Sequence, residues 1–198
     1  MIPQEILKKY NAFIKQFQKG EIIFSENDHA RYYYQIISGV VKMSNFNDEG
    51  KEFIQGIFYK QQSFGEPPLF IDVVYPANAI TLADSELLMI AKSDFLRILT
   101  DHTDIHLDFT ANLAKRLYYK AIIASEISSH EPSHRILRFF DYLKEEAKHQ
   151  NDAPNFKIIH TRQQISDILG LRVETVIRTI KQLEKQGEVI IRKGKVYR

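Results

Sequence analysis

The sequence predicts an α+β fold: an N-terminal β-roll of jelly-roll type, one long helix, and a C-terminal helix-turn-helix with a hairpin wing. Three observations predict it. Residues 21–91 alternate short β-type runs with turn residues. Residues 104–128 keep a helical period without a break. Residues 160–187 read HTRQQISDILGLRVETVIRTIKQLEKQG, two amphipathic stretches joined at a glycine.

Composition bounds the chemistry. At 198 residues the chain suits one large domain or two small ones, with length enough for a core. It contains no Cys, which removes disulfides, thiolate zinc sites and thiolate-held iron–sulfur clusters from consideration. No apolar run approaches the ~20 residues of a membrane span. The N-terminus lacks the apolar core of an export signal, so the expected location is the cytoplasm, with no membrane partner. Charge is uneven. The chain is +2 overall, yet from Phe156 to Arg198 ten Lys/Arg face four Asp/Glu, which leaves residues 1–155 acidic. A basic C-terminal third behind an acidic body is the electrostatic footprint of nucleic-acid binding.

Taken in order, residues 3–17 read as a short amphipathic helix on Ile6, Leu7, Tyr10, Phe13, Ile14 and Phe17. The β-type runs then fall at 22–24, 32–37, 40–43, 53–59, 79–82 and 87–90, with breaks at Glu26-Asn27-Asp28, Ser38-Gly39, Asn47-Asp48-Glu49-Gly50 and Ala83-Asp84-Ser85. Many short strands at this spacing argue a roll, barrel or jelly roll rather than βαβ units. The run Tyr32-Tyr33-Tyr34 is most simply a strand packed on both faces. Ser93 is a cap for a short helix over 94–99.

In the long helix, Leu113, Leu117, Lys120, Ala124 and Ile127 follow a 4-3-4 spacing, the seam of a paired helix. Phe109, Tyr118, Ile122 and Ile123 widen the apolar stripe, so the helix is expected to meet both a partner helix and its own β-domain. A homodimer is the expectation, against a core helix in a monomer. Residues 128–133 look like a hinge, with Pro132 opening a helix over 134–148 whose apolar positions are Ile136, Leu137, Phe139, Phe140 and Leu143. Residues 150–155 are polar and carry Pro154; 156–159 read as a strand. These divisions give a sensor domain over 1–102, a long helix and hinge over 103–130, and a reader over 131–198.

In the reader, Thr161 is placed to cap the first helix, which buries Ile165, Ile168 and Leu169 and stops at Gly170. The second helix is expected to bury Val173, Val176, Ile177, Ile180 and Leu183 and to end at Gly187. Its other face carries Arg172, Glu174, Thr175, Arg178, Lys181 and Gln182: long donors, one acceptor and no large apolar group, as base-edge reading in a major groove requires. Val189-Ile190-Ile191 and Lys195-Val196-Tyr197, around Lys193-Gly194, form the expected wing.

The strings Thr161-Arg162-Gln163-Gln164-Ile165, Gly170, Glu174-Thr175-Val176-Ile177-Arg178 and Leu183-Glu184 resemble the DNA-reading signature of the cyclic-AMP receptor protein / fumarate-nitrate regulator (Crp/Fnr) family. Tyr34 to Val41, Phe64-Gly65-Glu66 and Leu69-Phe70 resemble that family's β-roll, of the cyclic-nucleotide-binding-domain type. The resemblance implies a homodimeric transcription regulator, a palindromic double-stranded DNA operator and RNA polymerase as partners, and an effector sensed in the roll. It places Glu174 and Arg178 on base edges, and Thr161, Arg162, Arg172, Thr175, Lys181 and Lys193 on phosphates. Many relatives place an Arg just before the Glu, where it reads a guanine; Val173 cannot donate, and Arg172 points about 100° away.

The effector positions depart further from the family. Gly65 and Glu66 match its ribose contacts, but its Arg-Ser phosphate pair falls at Pro76-Ala77 and its adenine-contacting Thr-Ser pair at Lys120-Ala121. The expected effector is therefore unknown and is not cyclic AMP held by the usual contacts. No cofactor is identified; seven His leave haem open, although no spacing points to it.

His130-Glu131-Pro132-Ser133-His134 matches the zinc-protease string H-E-x-x-H, but Pro132 breaks the continuous helix that chemistry needs. His102 and His106, beside Asp101, Asp104 and Asp108, read as a solvated acidic helix start rather than a metal site. No nucleophile or phosphate-loop motif appears, so an enzyme is not expected. A cupin-like metalloenzyme would need clustered His, and the β-half offers only His29. A small-molecule sensor acting on a protein partner stands as the other alternative.

Overall fold

The computed structural model describes residues 1–129, 131–148 and 156–198, with side chains at 1–125, 131–145 and 156–198. The loop expected at 150–155, His130 of the hinge and the side chain of Ile127 lie outside them. The chain forms two compact units, Met1–Ala114 and Lys115–Arg198.

The first unit is built from two four-stranded antiparallel sheets. One runs β1 (Phe13–Phe17), β8 (Ser85–Ala91), β3 (Tyr32–Ser38) and β6 (Ser63–Phe64); the other runs β2 (Ile22–Phe24), β7 (Asn78–Thr81), β4 (Val41–Phe46) and β5 (Glu52–Phe58). Alternation along β3 shows how sequence makes this arrangement, because successive side chains leave opposite faces. Tyr34 and Ile36 enter the roll's interior with Phe24, Val41, Phe64, Tyr75 and Leu87. Tyr33 leaves on the other side, into a second cluster with Leu69, Ile90, Phe95, Ile98 and Phe109. The predicted two-faced strand is thus observed. Its one interior amide is satisfied: Tyr33 Oη donates to Gln35 Oε1 at 2.9 Å, and Gln35 Nε2 donates to the Ile2 carbonyl at 3.2 Å.

The helix expected over 3–17 is only half a helix. Gln4–Lys9 forms α1, Asn11 turns the chain at φ 65°, and 13–17 becomes β1, paired in register from Phe13↔Met89 to Phe17↔Ser85. Phe13, Lys15 and Phe17 satisfy a two-residue period as well as a helical one, and antiparallel pairing with β8 decides the outcome. The short helix after the roll, α3 (Lys92–Asp101), starts at Ala91 with no side-chain cap, so Ser93 sits within it rather than capping it. A helix that sequence periodicity does not reveal, α2 (Pro67–Ile71), follows Glu66.

The long helix, α4 (Thr103–Ser129), belongs to both units by sequence. Ile105, Phe109 and Leu113 pack on the first unit's second cluster. In the second unit, Tyr119 and Ile123 pack against a core formed by α5 (Pro132–Lys148), α6 (Arg162–Leu169), α7 (Val173–Lys185) and the sheet β10 (Ile190–Arg192), β11 (Lys195–Tyr197), β9 (Lys157–Ile158). Tyr119 stacks on Tyr142 of α5, with ring centroids 3.2 Å apart.

Candidate nucleic-acid interface

Local sequence fixes the helix pair. Thr161 forms a capping box: its hydroxyl accepts from Gln164 N at 3.1 Å, and Gln164 Oε1 accepts from Thr161 N at 2.8 Å. Gly170 closes α6 in the left-handed region at φ 63°. Ser166 Oγ donates to the Leu171 carbonyl at 2.7 Å and holds the turn from inside. The second helix seats Val176, Thr179, Ile180 and Leu183 in the core, so the opposite stripe must face solvent.

That stripe is where the candidate residues lie. Glu174, Arg178 and Lys181 are exposed, at positions i, i+4 and i+7 of one helix face. With Ile177, Gln182 and Lys185 they line a shallow groove. One expectation is overturned here. Ile177 is not buried; it is 41% exposed between Glu174 and Arg178, so the outward face does carry a large apolar group. The helical period places 177 at the edge of the apolar stripe, and the core closes beneath Val176 and Ile180 without reaching it. Val173 is half-buried rather than buried, and Thr179 takes an interior position instead.

The expected phosphate ligands surround this face unevenly. Arg172 is the N-cap residue of α7 and is exposed; Thr175 is half-buried. Lys193 sits at the wing turn with φ 47° and is exposed. Arg162 is half-buried, and its guanidinium donates to the Gly194 carbonyl at 3.4 Å, linking the start of α6 to the wing turn. Burial lowers its pKa from the ordinary arginine value. Two ties that sequence reasoning missed also hold the wing. Glu184 Oε1 accepts from Ile191 N at 3.0 Å. Arg198 donates from Nε to Asp141 at 2.7 Å and from an Nη to both the carbonyl and the carboxylate of Glu188, at 2.7 and 2.8 Å. Only partner geometry reveals such clasps; the Leu183-Glu184 string marks Glu184 without its bond to the wing, and Arg198 counts in the sequence only as a charge.

In the roll, Gly65 has φ +73°, and a Cβ there would lie 3.0 Å from the Phe24 ring and 3.3 Å from the Tyr75 ring. Glu66 is 2% exposed and precedes α2; Ala77 is buried and Pro76 exposed. Phe24 and Tyr75 stack at 3.6 Å, with Tyr34 and Phe64 beside Phe24. Burial pushes the Tyr34 phenol up to about 12 and raises that of Tyr75 as well, so both rings stay neutral. On α4, Leu117 is 69% exposed; Lys120, Ala121 and Ala124 are exposed, and Leu113 is half-buried. Among the described residues no group of three or more His, Asp or Glu is placed to hold a metal, and no helix is long and apolar enough to cross a membrane.

Comparison with known proteins finds two domain matches. Residues 14–102 match the model of the cyclic nucleotide-binding domain, and residues 134–197 that of the Crp-like helix-turn-helix domain. The cAMP-activated global transcriptional regulator CRP of Haemophilus influenzae is 29% identical over 182 residues, covering 91% of this chain and 78% of that protein. The cyclic AMP receptor protein of Thermus thermophilus is 25% identical, over 99% of this chain and 88% of its own. Among solved structures, the c-di-GMP responsive global regulator CLP of Xanthomonas campestris superposes with a TM-score of 0.76 at 22% identity, covering 98% of both chains, a likeness of fold.

Proposed function

We propose, for a chain that belongs to the Crp/Fnr family of transcription regulators, that it works as a homodimer on a palindromic operator, with Glu174 and Arg178 on base edges. The chain is a DNA-binding transcription regulator with a cyclic nucleotide-binding domain, not an enzyme. The finer reading rests chiefly on one observation: α7 presents Glu174, Arg178 and Lys181 outward on a helix anchored by Val176, Ile180 and Leu183. A carboxylate accepts from cytosine N4, and a guanidinium donates two bonds to guanine O6 and N7. Thr161, Arg162, Arg172, Thr175, Lys181 and Lys193 bind phosphates, which sets register without sequence preference.

The organisation follows the same reading: a sensor over 1–102, a pairing helix over 103–130 with a seam through Leu113, Leu117, Lys120, Ala124 and Ile127, and a reader over 131–198, with RNA polymerase as the protein's partner on the promoter. Exposed Leu117 supports the pairing role, because a large apolar side chain in water gains most from a partner. The roll senses an effector other than cyclic AMP in the usual contacts. Pro76 and Ala77 offer neither cation nor hydroxyl to a cyclic phosphate, and loss of such a charge-assisted contact costs about a hundredfold or more in affinity.

The test is a pair of variants measured against operator variants. Arg178→Ala is expected to lose discrimination at one base pair, by about 1–3 kcal/mol. Arg162→Ala is expected to weaken all sequences alike. Equal loss across operator variants for Arg178→Ala refutes its role, and no retention of DNA at moderate salt favours a regulator that acts through a protein partner.

A further inference from the structure

Glu174, Ile177 and Arg178 occupy positions i, i+3 and i+4 of α7, so their side chains share one face. The charged members of that face need no further explanation in a reader of DNA. Ile177 does. It is 41% exposed and lies between an acid and a base, in a groove otherwise lined by Lys181, Gln182 and Lys185. It adds little to the core, which closes beneath Val176 and Ile180. Nor does the helix call for it, since a β-branched side chain loses χ1 freedom there and Ala, Lys or Glu are better helix formers.

An apolar side chain in this setting has a specific chemical counterpart. In the major groove the four bases offer hydrogen-bond donors and acceptors, and thymine alone also presents a C5-methyl group. We infer that Ile177 is a specificity-determining residue that packs on the methyl group of a thymine in each half-site, adjacent to the bases read by Glu174 and Arg178. The inference rests on the proposed reading of α7 as the recognition helix and deepens it. Hydrogen bonding from Glu174 and Arg178 fixes two base identities; van der Waals contact from Ile177 selects a third, and displaces the same water from the methyl group and from its own exposed surface. The side chain is rigid at χ1, so little rotamer freedom is lost on contact.

The probe is the operator recovered by the 198-residue chain from a random DNA pool, with each thymine replaced singly by deoxyuridine. That exchange deletes the methyl group and leaves every hydrogen-bonding atom in place. Against the unaltered chain, one thymine per half-site is expected to show about a fourfold loss of affinity on exchange, the worth of one buried methyl group. The same exchange is expected to leave the affinity of Ile177→Ala unchanged, and Ile177→Val to fall between. Both substitutions are at an exposed helix position, and circular dichroism checks that the helices persist. If binding is retained but deoxyuridine costs the same in the chain and in Ile177→Ala at every thymine, the methyl contact is overturned while the recognition-helix reading stands. If the chain retains no DNA either with or without cellular metabolites, that reading falls and this inference with it.

Discussion

His160 is 6% exposed, edge-on to Phe139 with ring centroids 5.4 Å apart, at the entrance to the capping box of α6. Burial pushes its imidazole down to about 4 from the ordinary 6.5. The sign of the consequence is definite. Between pH 6.5 and 4 the unfolded chain binds a proton at this residue that the folded chain refuses, so folding loses stability as pH falls through that window. The full loss is about 3 kcal/mol. Urea midpoints measured from pH 7 to 4 are expected to fall faster for the unaltered chain than for His160→Gln; parallel curves contradict the assignment. At the same scale Ile177 shows what a one-residue error in reading a helical stripe conceals. Counting it as interior makes the outward face wholly polar, and its exposure makes that face a mixed polar and apolar surface.

At the scale of elements, the helix pair carries its own start and stop signals. Thr161 and Gly170 declare themselves in sequence as start and stop, and the structure adds the second arm of a capping box from Gln164. Thr161 is therefore a cap as well as an expected phosphate ligand. Thr161→Ala is predicted to cost about 1 kcal/mol of stability, read as a lower urea midpoint for the unbound chain, in addition to any loss of DNA affinity; an unchanged midpoint contradicts the capping role. Other elements depend on distant partners and were not legible. The stretch Phe13–Phe17 fits a strand and a helix equally, and β8, seventy residues later, chooses between them. The two-residue strand β6 and the five-residue α2 are too short to show a period. Ser93 resembles a cap, but the helix begins before it. The wing's strands were legible from Val189 to Tyr197, whereas the Arg198 clasp to Asp141 and Glu188 was not, because its carboxylates come from other elements.

For the whole molecule, the charge boundary at Phe156 falls inside the second compact unit, which begins at Lys115. The basic excess lies between Phe156 and Arg198, within the unit that bears α6, α7 and the wing, and the acidic remainder includes the roll. Fold class was legible because strand spacing, the unbroken helix and the helix pair each point one way; the effector was not, because Gly65 serves packing against Phe24 and Tyr75 and so does not by itself report a ligand. The proposal's geometric demand is that two outward faces of α7 meet one duplex together. The most direct measurement is selection of DNA from a random pool by the purified chain, with and without cellular metabolites, followed by footprinting of the enriched sequence. A dimeric reader is expected to enrich an inverted repeat whose half-sites lie about one helical turn, ~34 Å, apart, with binding that falls steeply as salt rises. Enrichment of a single unrepeated site, or no enrichment at all, would contradict it.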